Sequence, residues 1–297
     1  MRLIDEAWQL SRSHIPCRTG PSRDLEESWE VHPESFTAML VADLLVGQPE
    51  HRELVQGVLD MLEKELGEED VFYFFKDHDR LPADADCTSV GLSVLIRGGK
   101  QEITQRAHRA LDRILANSNK RGVVETYFDP SGERAGIIDP VVCANVLYLG
   151  HLLGRGDELE PTLRHVRRVL RTRSFVEGTR YYHSPDSFLY FLARVVRRFP
   201  AVHDALLEPM RDAVRERQGS TDYALDISQR VICANWLGID DGDEARKLAQ
   251  MQQPDDSWPA DSLFRYGRKR IFFGSQALST AFALRALRAL DSVTGIL

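Results

Sequence analysis

The chain has 297 residues, 43% of them apolar, and a formal net charge of −7. Its length suits one large domain or two modest ones, and its acidic balance gives no broad electrostatic reason to bind nucleic acid. No run of eighteen or more uncharged apolar residues is present, and Asp5 and Glu6 have no extended apolar segment behind them, so neither a membrane-spanning helix nor a secretory signal is expected. Four cysteines, Cys17, Cys87, Cys143 and Cys233, lie far apart without any C-x-x-C pair. Small buried thiols in a reducing cytoplasm are the simple expectation, rather than a disulfide framework or a zinc knuckle.

Residues 2–14 read as a helix with Leu3, Ala7, Leu10 and Ile15 on its apolar side. Residues 16–33, rich in proline, glycine, serine and charge, read as an irregular crossing. Residues 34–46 form a mostly apolar helix through Phe36, Met39, Leu40, Ala42, Leu44 and Leu45, which Gly47-Gln48-Pro49 ends. Residues 51–66 change character, with Leu54, Val58, Leu59 and Leu62 set among Glu and Lys as on an amphipathic surface helix. The alternation then continues: 84–96 apolar, 102–116 charged, 139–153 apolar, 159–170 charged, 187–196 apolar, 202–214 charged, 226–237 apolar, 244–251 short and polar, 275–290 apolar.

Six apolar helices therefore begin near residues 34, 84, 139, 187, 226 and 275. A helix that is hydrophobic on nearly all sides must be surrounded by others, whereas one with a charged face meets water. The expected fold class is all-α, a single (α/α)6 barrel over residues 1–297 with six inner and six outer helices. A helix-pair solenoid is the alternative. The long connections precede the apolar helices, so a barrel would collect them at one end, where they could frame a pocket.

Chemistry concentrates at these helix starts. In Leu81-Pro82-Ala83-Asp84-Ala85-Asp86-Cys87-Thr88-Ser89-Val90, Asp84 can cap the helix while Asp86 and Cys87 occupy its first turn. The cluster suits capping or catalysis. Two carboxylates two residues apart do not share a helix face, so Asp84 and Asp86 converge only if Asp84 sits in the cap. Similar starts recur in Asp139 to Asn145 and Asp226 to Asn235, both ending in Cys-Ala-Asn, where the acids can cap and the asparagines can bond neighbouring helices or support a site. Aromatics precede the apolar helices at Trp29, Phe72 to Phe75, Tyr127-Phe128, Phe175, Tyr181-Tyr182, Tyr223, Trp258, Phe264, Tyr266 and Phe272-Phe273. They fill core or line a mouth suited to a greasy ligand, whose cationic carbon their ring faces would stabilise. His183 precedes Ser184-Pro185-Asp186 at the same end, where it could transfer a proton or bind a carbonyl. Arg265, Arg268, Lys269 and Arg270 could meet a diphosphate or remain a solvated loop, and Arg134 is a second possible anionic contact.

The alternation and Asp84-Ala85-Asp86-Cys87-Thr88-Ser89 together resemble the terpenoid cyclase and protein prenyltransferase superfamily. The motif is similar to the D-x-D-D-T-A signature of squalene-hopene and class II diterpene cyclases, and to the D-C-T-A motif of oxidosqualene cyclases. Gln252-Gln253-Pro254-Asp255-Asp256-Ser257-Trp258 resembles the Q-x-x-D-G-x-W repeat of those proteins, with Asp256 in the glycine's place. The resemblance implies that Asp86 donates a proton to an alkene or epoxide, that Cys87 polarises this acid, and that Asp84 fills the first acidic position. It implies no metal cofactor, with Mg2+ entering only beside a diphosphate. The D-x-C zinc pair of the prenyltransferases is absent, and no motif places His78.

The expected function is thus a class II-like terpene or meroterpenoid cyclase with Asp86, Asp84 and Cys87 catalytic. The expected substrate contacts are Phe75, Tyr127, Phe128, Asp139, Asn145, Tyr182, His183, Asp226, Asn235, Tyr266, Arg268 and Phe272. One barrel in place of the family's two favours a C10 to C20 isoprenoid or a meroterpenoid, and leaves a central cavity, a homodimer or a partner protein to enclose it. A non-catalytic hydrophobic-ligand binder or scaffold is the alternative. So is a sugar-active (α/α)6 barrel, which would oppose Asp86 to Asp139 or Asp226.

Overall fold

The computed structural model describes Ile4, Asp5, Trp8 and residues 14–294. The helix expected over 2–14 falls largely outside these, Leu3, Ala7 and Leu10 included. The chain divides into two compact units, one spanning residues 32–168 and the other combining 16–31 with 169 onward.

In the first unit the alternation of the sequence becomes an alternation of burial. Helix α1 (Phe36–Leu45) is buried at every position. Its one ionisable residue, Asp43, pairs with Arg97 at the end of α3 (Ala85–Arg97). Between them, α2 (Arg52–Glu65) buries only the stripe Leu54, Val55, Val58, Leu59 and Leu62. The pattern repeats with α4 (Thr104–Ala116), which buries Ala107, Ala110, Leu111 and Ile114, and with α5 (Pro140–Leu152), buried from Val141 to Gly150. Helix α3 packs against both α1 and α5. Gly91 permits a close approach within that layer, since a Cβ there would lie 2.8 Å from the Phe72 ring. Helix α6 (Glu160–Arg171) follows α5 and runs to the boundary of the unit.

The second unit holds α7 (Pro185–Arg198), α8 (Pro200–Arg217), α9 (Ala224–Leu237), α10 (Gly242–Gln250) and α11 (Gln276–Thr294). Helix α9 packs against each of the other four. Helix α8 outlasts the expected 202–214 and carries Pro209 in its interior. Eleven α-helices are present among the described residues, and the apolar and charged segments fall where the sequence puts them.

The all-α expectation is corrected by a four-stranded antiparallel sheet in this unit. Its strands are β1 (Arg18–Gly20), β2 (Trp29–Glu30), β3 (Ser262–Arg265) and β4 (Phe272–Gly274), in the order β2-β1-β4-β3. The 16–33 segment read as an irregular crossing supplies two of them. Strands of two to four residues are too short to display alternation, which explains why they were not legible.

The core of the second unit is tied by charge. Arg230, 1% exposed on α9, donates to Asp186 of α7 at 2.7 Å and to both carboxylate oxygens of Glu244 on α10, while Arg217 of α8 also donates to Asp186. Three helices thus meet on one guanidinium, and α8 joins them through the Asp186 carboxylate. Removing one member of a buried ion pair leaves its partner uncompensated, at a cost of about 3–5 kcal/mol. Arg230→Met should lower the urea unfolding free energy by that amount, and a loss below about 1 kcal/mol would show that water or rearrangement satisfies both acids.

Candidate active site

Three connections meet at the N-terminal ends of α1, α3 and α5. Ser35 N–H donates to Phe74 C=O and Lys76 N–H to Pro33 C=O, while Asp84 N–H reaches Phe72 C=O. Ala85 N–H bonds Thr126 C=O at 2.8 Å and Phe128 N–H bonds Ala83 C=O at 2.9 Å. The Thr88 hydroxyl accepts from Phe72 N–H at 3.0 Å, anchoring the aromatic segment on α3. These bonds hold the 84–88 cluster between the segments that precede α1 and α5.

Asp84 is the cap of α3, with extended backbone (φ −138°, ψ 158°) and its Oδ1 accepting from Cys87 N–H at 2.7 Å. Burial pushes its carboxyl from the usual 3.8 up to about 6, against the pull of that N–H. The Cys87 thiol is itself hydrogen-bonded to Asp84, and burial, with Asp84 and Asp86 beside it, raises it well above the ordinary thiol range. Cys87 is therefore a neutral thiol.

Asp86, one position inside the helix and 8% exposed, accepts at Oδ1 from Asn145 Nδ2 of α5 at 2.7 Å. Asn145 is thus the amide donor on this acid, and the two helices are joined at the site. Glu34, not anticipated as a site residue, is 1% exposed just before α1. Its Oε2 accepts from Thr37 N–H at 2.9 Å, and its Oε1 has no partner. Burial raises its carboxyl from 4.5 to about 7, and its charge is felt at Cys87. The only sequence signal for it was an acid next to the start of an apolar helix.

The remaining expected contacts divide between the two units. In the first, Tyr127 and Phe128 are 9% and 8% exposed and Phe75 is half-buried. Arg134 lies over the Tyr127 ring at 5.2 Å and Arg113 over Phe128 at 5.4 Å, so one face of each ring already meets a guanidinium. Asp139 is a buried cap, accepting from Val141 N–H at 2.8 Å. In the second, Tyr182 packs edge-on against Phe191. His183 Nε2 lies 2.6 Å from Ser262 Oγ, with its ring 5.1 Å from Phe272. Burial, with Arg23 nearby, lowers His183 to about 3, which leaves a neutral imidazole. Asp226 pairs with Arg23 at 2.8 Å, while Tyr266 and Arg268 are exposed at the tip of the β3–β4 hairpin.

The repeated Cys-Ala-Asn units do not sit at matching depths. Asn145 lies in the first half of α5, whereas Asn235 is half-buried near the C-terminal end of α9, about 13 Å along the axis from Asp226. The 252–258 motif forms a turn: Gln253 and Ser257 bond each other, and Trp258, 1% exposed, donates its indole N–H to Leu248 C=O at 2.8 Å. Asp256 has φ 64°, the left-handed conformation for which the family repeat uses glycine and which aspartate tolerates better than most residues. Among the described residues, no three or more His, Cys, Asp or Glu side chains are grouped to hold a metal ion.

Residues 26–152 match the family model described as the sesquiterpene cyclase astC-like C-terminal domain. This stretch contains Glu34, Asp84, Asp86 and Asn145. Drimenol cyclase drtB of Aspergillus calidoustus is 35% identical over 211 residues, covering 70% of this chain and 38% of that protein. The chain thus spans about two fifths of the length of this curated relative. The type II terpene cyclase MstE from Scytonema, solved with geranylgeranyl dihydroxybenzoate as substrate, superposes with a TM-score of 0.69 at 12% identity over 98% of this chain and 97% of its own. The ent-copalyl diphosphate synthase of Streptomyces platensis gives 0.58 at 18% identity, over 87% of this chain and 50% of that one. The chain has a type II terpene cyclase-like, mostly helical fold.

Glu34 and Asp84 hold their protons to higher pH than they would in the unfolded chain. Between about pH 4 and 7 the native state therefore binds more protons, and stability falls as pH rises through that window. Glu34→Gln keeps the shape of the protonated acid. It should gain about 3 kcal/mol on the wild type between pH 4.5 and pH 8 in urea unfolding, and an equal difference at both pH values would refute the assignment.

Proposed function

We propose that this chain is a class II-type cyclase in which Asp86 protonates the terminal alkene or epoxide of a small isoprenoid or meroterpenoid. The observation that carries the reading is the buried Asp86–Asn145 pair at the start of α3, inside the stretch similar to a sesquiterpene cyclase domain. Protonating a carbon–carbon double bond needs a neutral acid held against an apolar substrate, and burial favours that neutral form. The Asn145 amide donates to one carboxyl oxygen. That stabilises the negative charge Asp86 acquires as the proton leaves, and it fixes the carboxyl's orientation.

Asp84 and Cys87 act on this acid indirectly. Asp84 caps the helix and its charge opposes early ionisation of a carboxyl nearby, while the neutral thiol supplies a donor within the cluster. The cation that follows would be stabilised on aromatic faces, with Phe75, Tyr127 and Phe128 the candidates in this unit, before loss of a proton or capture by an internal nucleophile. Such chemistry needs no metal of its own, and Mg2+ would arrive only with a diphosphate-bearing substrate. The likeness to a sesquiterpene cyclase domain and to a drimenol cyclase supports a C15 chain within the C10 to C20 range. The finer architecture we propose is the single (α/α)6 barrel of the sequence reading, supported by three mostly apolar helices in each unit and by whole-length similarity to MstE.

Incubation with prenyl diphosphates and with terminally unsaturated or epoxidised meroterpenoids tests the reading. Wild type should release a cyclic product, and folded Asp86→Asn should be slower by at least about a hundredfold, the usual scale of a lost general acid. Asn145→Ala should fall by about tenfold to a hundredfold, as a lost charge-assisted hydrogen bond would give. Turnover by Asp86→Asn at the wild-type rate would remove the proposed donor. Tight ligand binding without product would select the non-catalytic binder.

A further inference from the structure

The β3–β4 hairpin carries an exposed feature that the proton chemistry leaves unused. Its tip, Tyr266 to Ile271, is closed by a Tyr266 N–H to Ile271 C=O bond of 2.9 Å, with Gly267 at φ 58° making the turn. Arg268, Lys269 and Arg270 are all exposed there, and none makes an ion pair among the described residues. From Ser262 to Ser275 the sequence has four cations and no acid, in a chain whose net charge is −7. Arg180, also exposed, lies on the neighbouring loop, which is pinned to β3 by Arg265 N–H to Tyr181 C=O at 2.7 Å and Arg265 Nη2 to Thr179 C=O at 2.8 Å.

The same sheet exposes apolar surface. Tyr266 is 40% exposed and Ile271 38%, and they flank the three cations. Trp29, on edge strand β2, is 61% exposed. Only four large apolar side chains are exposed among the described residues, and these are three of them. Cations beside exposed tyrosine, tryptophan and isoleucine match a headgroup interface, where the charges meet anionic lipid and the amphipathic rings enter the acyl boundary. A nucleic acid or an extended acidic chain would have to run beyond the hairpin onto an acidic protein, which repels it. No helix of the described residues is long and apolar enough to cross a membrane, so the contact is with a surface.

We propose that the β3–β4 hairpin docks this protein on an anionic lipid surface, with Arg268, Lys269 and Arg270 held at the headgroups and Tyr266 and Ile271 inserted between them. The sheet face then meets the phase in which a greasy substrate dissolves. The proposal does not depend on the cyclase reading, because its test requires no turnover.

The experiment is co-sedimentation of the full chain with sucrose-loaded vesicles of phosphatidylcholine alone or with one third phosphatidylglycerol. Each basic residue near an anionic surface strengthens association by about fivefold. Wild type should therefore bind the anionic vesicles at least tenfold better than the neutral ones, and release them in 0.5 M NaCl. Arg268→Glu/Lys269→Glu/Arg270→Glu should lose more than tenfold, and Tyr266→Ser/Ile271→Ser several-fold with the salt dependence retained. Circular dichroism would check that both variants are folded. Equal binding to both vesicle types, no sedimentation of wild type, or unchanged binding by the charge-reversed variant would each overturn the proposal. So would vesicle binding abolished by millimolar pyrophosphate yet indifferent to Tyr266→Ser/Ile271→Ser, which would identify a site for a soluble anion.

Discussion

A helix that begins inside a protein must find acceptors for its first backbone N–H groups where no water can supply them, and that requirement shapes the chemistry of this chain. Five helices here are buried almost throughout, and each opens on a buried acceptor. Glu34 receives an N–H from α1, Asp84 from α3, Asp139 from α5, Ser184 from α7 and Asp261 from α9. Four of the five are carboxyl groups at most 5% exposed. Capping therefore collects acids at the starts of apolar helices, where desolvation favours their protonated forms.

Capping and catalysis were competing readings of the 84–87 cluster, and the geometry divides them between residues. Asp84 occupies the cap with extended backbone, and its carboxyl is committed to Cys87 N–H. Asp86 lies within the first turn, and its carboxyl meets Asn145 across the interface with α5. Two acids separated by a single residue can thus serve different ends, because only one of them lies in the helix. The proposed proton donor depends on its neighbour mainly through backbone geometry and charge.

The helices were legible because their signal is long. Each apolar segment runs for ten residues or more, and period and composition agree across it, as in α2, whose buried stripe is the apolar set expected with Val55 added. The sheet was not legible, since β2 has only two residues and their pairing partners lie ten and twelve positions away in a segment dominated by turn formers. At the site, the motif located Asp84, Asp86 and Cys87, and Asn145 was anticipated as a polar support. The Asp86–Asn145 bond links residues 59 apart and follows only from how α3 packs on α5. The second Cys-Ala-Asn unit shows the limit of a sequence repeat: Asn235 falls near the end of its helix, because depth along a helix is set by where the cap lies.

The buried acids fall into two groups that do not follow the division into units. In one, Asp186 meets Arg217 and Arg230, Glu244 meets Arg230 and Asp226 meets Arg23 in the second unit, while Asp43 meets Arg97 and Asp70 meets Arg106 and Arg109 in the first. In the other, neither Glu34 nor Asp84 has a cation among the influences on its carboxyl, and burial raises them to about 7 and about 6. An arginine beside a carboxylate holds it ionised and removes it from proton donation near neutrality. Burial without a cation shifts the acid toward its protonated form, at a cost in stability that grows as pH rises. The proton-initiated reaction we propose thus suits a buried acid without a cation, whereas the ion pairs of Asp186 and Glu244 hold α7, α8, α9 and α10 together.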